Sequence, residues 1–306
     1  MKAIVFGGTG FIGSHVVEQL HKAGHEVLVP VRKTSDTTFL KELGVTVVPV
    51  DFSNPESIQN VISGDAIIYN CTAAANLQTD IHMEAPVEIQ LTRNLVKAAV
   101  LKGVTRFIQL SSIVLYDFQT NEAINESYVS TPEFPLQHLL LKREQIVEEA
   151  GRKSRMMTII LRPASTIGIR DKASFFSRLY AAHLNDAYPM SGQGKALVSL
   201  VDSRDTGRAM VWLGENPGLS RQHHTLLLKG FDTTWQALKT MIDQITGRTA
   251  KTADMASDAT DFTSKTFTTN RIWDDAKIRS LGFETKYSLK EAAAAAIGEF
   301  RERILA

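Results

Sequence analysis

The stretch Lys2-Ala-Ile-Val-Phe-Gly-Gly-Thr-Gly-Phe-Ile-Gly-Ser14 decides the fold. Ala3 to Phe6 is an apolar run too short for a helix, so it reads as a buried strand. Glycines follow at Gly7, Gly10 and Gly13. His15, Val16, Val17, Gln19 and Leu20 then recur with helical spacing as far as Gly24, and Val27 to Val31 is a second apolar run. The order is strand, glycine loop, helix, strand. Gly7 permits the turn off the strand, Gly10 lets backbone approach a pyrophosphate, and Gly13 lets the helix pack close. The helix N-terminus adds unpaired N–H groups and a partial positive charge. Gly7, Thr9, Gly10, Phe11, Ile12 and Gly13 are therefore the expected pyrophosphate-binding residues. The spacing is G-x-x-G-x-x-G rather than the usual G-x-G-x-x-G, and an ordinary strand–helix turn is the alternative. The strand before and the helix after supply the context that the motif requires.

The residue that ends the second strand selects the cofactor. An acid there accepts from the adenosine ribose hydroxyls of NAD, whereas a base pairs with the 2′-phosphate of NADP. Arg32 and Lys33 lie there, roughly 20 residues after the loop. A guanidinium fork suits a phosphate better than a diol, so NADP(H) is expected over NAD(H), with a solvated basic loop as the alternative. Asp36, the nearby acid, lies further past the strand.

Composition narrows the classes. The 306 residues suffice for one large or two modest domains, and a formal net charge of +1 gives no support for a general nucleic-acid or anionic-membrane partner. The single cysteine, Cys71, excludes an intrachain disulfide and leaves no cysteine cluster for a metal. The N-terminus lacks a signal-peptide layout and no apolar run approaches ~18 residues, so no membrane span is expected and a reducing cytoplasm is the default.

Further along, strands and helices alternate. Val45 to Val50 is a strand closed by Asp51 and Phe52, at the edge where ligands bind in such sheets. Asp51 is expected to accept from the adenine amino group, or else to cap the turn Asp51-Phe-Ser-Asn-Pro55. Ala66 to Asn70 is the fourth strand, and Thr72 and Ala73 just beyond it are expected to line the cofactor. Pro86 opens a helix to Leu101, and the fifth strand, Arg106 to Leu110, ends at Ser111-Ser112. A long loop from Tyr116 to Pro135 is a candidate cover for a site. Leu136 to Ala150 is a helix and Met156 to Leu161 the sixth strand, with Arg162-Pro163 after it. This alternation implies an α/β fold, a Rossmann-type doubly wound parallel sheet over residues 1–165. Residues 166–306 form a smaller, less regular substrate-binding region with segments returning to the sheet, and Ala253 to Thr269 is polar and uninformative. The histidines, among them His223-His224 at the start of a strand, show no metal-ligand context.

These residues resemble the extended short-chain dehydrogenase/reductase superfamily, within it the NAD-dependent epimerase/dehydratase family and its dihydroflavonol-reductase-like branch. The likeness rests on Gly7-Gly-Thr-Gly-Phe-Ile-Gly-Ser-His15, Val31-Arg-Lys-Thr-Ser-Asp36, Val104-Thr-Arg-Phe-Ile-Gln-Leu-Ser-Ser112, Leu161-Arg-Pro163 and Val201-Asp-Ser-Arg-Asp205. It implies that Pro163 lies against the cofactor, and that a Ser or Thr, a Tyr and a Lys carry catalysis, the last two spaced Tyr-x-x-x-Lys on one helix. Ser112 matches the serine and Lys142 the lysine, which would also bind the nicotinamide ribose. His138 stands at the tyrosine position in His138-Leu-Leu-Leu-Lys142. Imidazole, with a pKa of about 6.5, serves as a general acid without the help that a phenol near 10 requires. It also has a shorter reach, and a nearby Lys142 cation disfavours its protonated form. A solvated helix histidine is the alternative, with Tyr116 and Tyr128 as substitute acids. Glu88-Ile-Gln-Leu-Thr92 replaces the family's Asn-x-x-Gly-Thr run. The expectation is an NADP(H)-dependent oxidoreductase acting on a small carbonyl or alcohol. Its rivals are a nucleotide-sugar epimerase or dehydratase and a dinucleotide-binding sensor without catalysis. Fold analogy points towards a homodimer.

Overall fold

A computed structural model describes residues 1–72, 86–219, 223–255 and 260–305. The chain divides into two compact units, the first made of Met1–Leu115, Pro135–Arg162 and Thr206–Leu226, the second of Tyr116–Phe134, Pro163–Asp205 and Leu227–Ala306.

In the first unit β1 (Lys2–Phe6), α1 (Phe11–Lys22), β2 (Glu26–Val31), α2 (Thr38–Leu43), β3 (Thr46–Pro49), α3 (Pro55–Val61), β4 (Ala66–Asn70), α4 (Pro86–Leu101) and β5 (Arg106–Leu110) follow in turn. Then come α5 (Pro135–Lys153) and β6 (Met157–Pro163). β7 (Ser165–Ile167), α6 (Phe175–Leu184), β8 (Tyr188–Met190) and β9 (Leu197–Asp202) belong to the second unit, α7 (Ser203–Glu215) follows, and β10 (His224–Leu228) returns to the main sheet. β11 (Phe231–Thr234), α8 (Trp235–Thr246), β12 (Thr252–Asp254), α9 (Phe262–Thr268), α10 (Ala276–Ser280) and α11 (Leu289–Leu305) complete the second unit.

The main sheet has seven strands in the order β10-β6-β5-β4-β1-β2-β3. From β6 to β3 every adjacent pair is parallel, as the expected doubly wound fold requires. Strand order reverses between β1 and β4, whose register pairs Phe6 with Asn70. In α/β sheets such a reversal marks the carboxyl-end edge where ligands bind. Burial drives the arrangement. Ala3, Ile4, Val5 and Phe6 are all at most 1% exposed, so β1 is sealed on both faces. Ile4, Phe6, Ile58, Ile68, Leu95, Phe107, Val147 and Ile160 share one core.

The second unit has its own core around Phe176, Tyr188, Leu200, Trp235 and Ile297. Its sheets are short, one ordered β11-β9-β7 and the other β12-β8. The polar stretch that carries no pattern in sequence contains most of β12 and all of α9. β12 is exposed at every residue and exists through its parallel pairing with β8. α9 starts where the Asp261 carboxylate accepts from Ser264 N at 3.0 Å.

Candidate functional site

The glycine loop interlocks with both its neighbours. Gly7 has φ +78°, and a Cβ there would lie 2.6 Å from the Cys71 carbonyl oxygen and 2.9 Å from Thr72 N. Gly10 N donates to Gly7 O at 2.9 Å, closing the turn. A Cβ on Gly13 would run into that same Gly7 oxygen. Loop, helix start and β4 exit therefore sit closer than any side chain allows. Gly10 caps α1 with no side-chain hydrogen bond, and the first turn contains no acid. The opening N–H groups of this helix have no intrahelical acceptor and no acid in their own turn, which suits a pyrophosphate. Thr9, Phe11 and Ile12 are half-buried along this rim and Gly10 is exposed.

Arg32 and Lys33 are exposed directly after β2. Asp36 faces its own helix, its carboxylate accepting from Thr38 N at 3.0 Å. The Asp51 carboxylate accepts from Ser53 Oγ at 2.6 Å and Ser53 N at 2.9 Å, and these bonds hold it below the usual carboxylate range. Turn capping is thus the interaction Asp51 makes here. Phe52 packs edge-on against Phe6, with ring centroids 6.2 Å apart.

At the β5 exit, Ser112 Oγ accepts from Val114 N at 3.2 Å, leaving its proton free to donate. Ser111 N is tied to Leu161 O at 2.8 Å, while its buried hydroxyl has no partner among the described residues. Glycine loop, open helix end and orphan hydroxyl all fit a bound dinucleotide.

Helix α5 packs through Gln137, Leu139, Arg143, Glu144 and Val147. Glu144 receives Arg162 in a two-pronged pair, Nε to Oε1 at 3.0 Å and Nη2 to Oε2 at 2.6 Å. His138 and Lys142 lie elsewhere, on the exposed stripe that continues through Gln145 and Glu149. At 100° per residue this stripe faces away from Leu139, Arg143 and Val147. The two residues stand one turn apart on this exposed stripe, as their spacing requires. Pro163 falls in the second unit, and Ala73 lies outside the described residues, as does His82.

Both substitute acids are committed to structure. Tyr116 is fully buried, donates to Asn125 O at 3.4 Å and stacks on Trp273. The Tyr128 hydroxyl donates to the Asp117 carboxylate at 2.6 Å, which pushes its pKa up to about 12. Asp117 also accepts from Thr131 N at 2.6 Å and Gln119 N at 3.2 Å, so the long loop is pinned through one carboxylate. His223 is held between Thr158 and Thr225 hydroxyls at 2.9 and 3.1 Å.

Sequence reasoning missed Arg143. Its signal was a charge at the centre of the apolar stripe Leu139, Arg143, Val147. The guanidinium is buried, and it donates from Nη2 to Thr72 O at 2.6 Å and Thr72 Oγ1 at 3.2 Å, and from Nε to Thr92 Oγ1 at 3.0 Å. Its Nη1 lies 3.6 Å from Glu88 Oε2.

Residues 3–227 match the model of the NAD dependent epimerase/dehydratase family, and the chain belongs to that family. It is 28% identical over 254 residues to the NADH dehydrogenase [ubiquinone] 1 alpha subcomplex subunit 9 of Arabidopsis thaliana, covering 79% of this chain and 58% of that protein. It is 26% identical over 236 residues to cinnamoyl-CoA reductase 1 of Oryza sativa, covering 70% of this chain and 67% of that one. The chain spans from 33% to 58% of the length of the first curated relatives it matches. Among solved structures, UDP-glucuronic acid 4-epimerase of Bacillus cereus in complex with NAD superposes with a TM-score of 0.84 at 19% identity, over 99% of each chain. That likeness is one of fold. Among the described residues, no helix is long and apolar enough to cross a membrane.

Proposed function

We propose that this protein is an NADP(H)-dependent oxidoreductase acting on a small carbonyl or alcohol in the cytoplasm. The observation that carries the reading is the glycine loop, closed on Gly7 and open at the start of α1. The Arg32 guanidinium, exposed at the end of β2, favours the 2′-phosphate over a ribose diol. Asp36, the acid that would favour NAD, is engaged with Thr38. The glycine loop Gly7 to Gly13 and Arg32 would hold the NADPH, which would supply a hydride for a carbonyl carbon. Ser112, with its hydroxyl proton free, donates to the carbonyl oxygen, and a solvent proton completes the alcohol.

One observation favours a second reading, dinucleotide binding without turnover. His138 stands where the family pattern has its tyrosine, four residues before Lys142. A relative named as a subunit of a larger assembly is compatible with that reading.

Titration of the purified protein with NADPH and with NADH, followed by NADPH oxidation over a panel of ketones and aldehydes, separates the two. Preferential NADPH binding with turnover that Ser112→Ala abolishes supports the first. Binding with no turnover on the panel, and no effect of Lys142→Met on affinity, supports the second. Binding of neither dinucleotide refutes both.

A further inference from the structure

The buried Arg143 guanidinium links three elements of the first unit, and no assigned role uses it. Burial lowers its pKa, so it is held by what surrounds it rather than by water. From α5 it reaches Thr92 and Glu88 on α4 and the Thr72 peptide just past β4. Thr92 is itself fixed, donating to Glu88 O at 2.8 Å. The far side of Thr72 is equally fixed. Asn70 Oδ1 accepts from Thr72 N at 3.2 Å and from Thr72 Oγ1 at 2.7 Å, and Asn70 Nδ2 donates to Gln109 Oε1 at 2.8 Å. The N–H, carbonyl and hydroxyl of Thr72 thus all have partners, two of them satisfied by Arg143. Cys71 N completes the β1–β4 ladder on Phe6 O at 2.9 Å.

The peptide against the glycine loop is the one that joins Cys71 to Thr72, immediately before the carbonyl that Arg143 clamps. Thr72 N and the Cys71 carbonyl are the atoms that a Cβ on Gly7 would strike. Movement of Thr72 carries this preceding peptide with it and so either opens a gap beside Gly7 or presses the loop out of shape, because the contacts at Gly7 are backbone. A pyrophosphate bound by backbone N–H groups depends on loop geometry to a few tenths of an ångström.

We propose that Arg143 is a positioning residue of the dinucleotide site. Its guanidinium clamps the Thr72 carbonyl and hydroxyl so that the β4 exit backs Gly7 and the pyrophosphate loop is preorganised. The proposal rests on the dinucleotide reading above. A lysine cannot replace the clamp in full, because an ammonium lacks the planar fork that spans Thr72 and Thr92 at once.

The test is titration of wild type, Arg143→Met, Arg143→Lys and Thr72→Val with NADPH, NADH and adenosine 2′-monophosphate, which has no pyrophosphate. Circular dichroism checks each fold. Arg143→Met is expected to weaken both dinucleotides by at least about tenfold, the loss of a charge-assisted bond. Adenosine 2′-monophosphate should stay within about twofold of wild type, and Arg143→Lys should recover part of the dinucleotide affinity. Thr72→Val removes only the hydroxyl and should give a smaller loss with the same pattern. It carries the test alone if Arg143→Met does not fold. Dinucleotide affinity unchanged in the folded variants overturns the proposal while leaving the dinucleotide reading intact. Equal losses for the dinucleotides and the pyrophosphate-free nucleotide overturn it as well, since they indicate general loosening. Wild type that binds neither dinucleotide overturns the reading and the clamp together.

Discussion

Gly13→Ala sets two physical effects against each other. Within a helix, alanine is favoured over glycine by about 1 kcal/mol, so on propensity the change stabilises α1. Packing opposes it. The new methyl would collide with Gly7 O, lie 2.8 Å from Gly7 C and 3.1 Å from Gly8 Cα. All three atoms are backbone, and no flexible side-chain end can swing aside. Relieving the overlap costs about 1–3 kcal/mol by analogy with overpacked cores. The Gly10 N to Gly7 O bond at 2.9 Å shares the same oxygen, and its loss adds about 1 kcal/mol. The balance is a destabilisation of about 1–3 kcal/mol. Urea unfolding followed by circular dichroism should show the midpoint fall by several tenths of a molar to about 1 M. The affinity for NADPH should fall by at least about tenfold, because the loop moves before the protein unfolds. A variant as stable as wild type, binding NADPH within twofold, would refute the interlocked loop and leave helix propensity as the deciding effect.

Three further outcomes follow from named contacts. Arg32→Asp should weaken NADPH by about ten- to a hundredfold without weakening NADH, the range for an exposed charge reversal at a phosphate after solvent screening; equal affinities in wild type and variant would remove Arg32 from the selector role. Glu144→Gln should destabilise the first unit by about 1–3 kcal/mol, because it removes the carboxylate charge that receives the partly buried Arg162 guanidinium, and an unfolding midpoint like that of wild type would show that the pair is dispensable. The Asp117 hydrogen bond raises Tyr128, so its neutral form adds stability that is complete below the ordinary phenol pKa of 10 and is lost as pH rises through about 12. Phenolate absorbance should show a component titrating near pH 12 that Tyr128→Phe removes, and its titration near pH 10 in wild type would mean that the Asp117 contact is absent.

The sequence by itself determined the architecture of the first unit. Short apolar runs between glycine and proline stops marked β1, β4, β5 and β10, and one unbroken periodicity marked α4. A parallel sheet buried on both faces needs such runs, so local pattern and global fold agree there. Sequence also located the glycine loop and Arg32, because backbone sterics and charge are properties of single positions. Tertiary structure decided the rest. β7, β8, β11 and β12 have three or four residues each, too few to carry a period, and they exist through partners distant in the chain. Asp51 caps the local turn that its own sequence offered, with Ser53 two residues on, whereas Tyr116 and Tyr128 are engaged by Trp273 and Asp117, which only the folded chain brings within reach. On α5, spacing placed His138 and Lys142 on one face but could not say which face turns inward. Burial of Leu139 and Val147 carried Arg143 into the interior and left His138 and Lys142 on the exposed stripe. A helix's phase relative to its sheet is set by the packing of both, and one strand of sequence records only half of it.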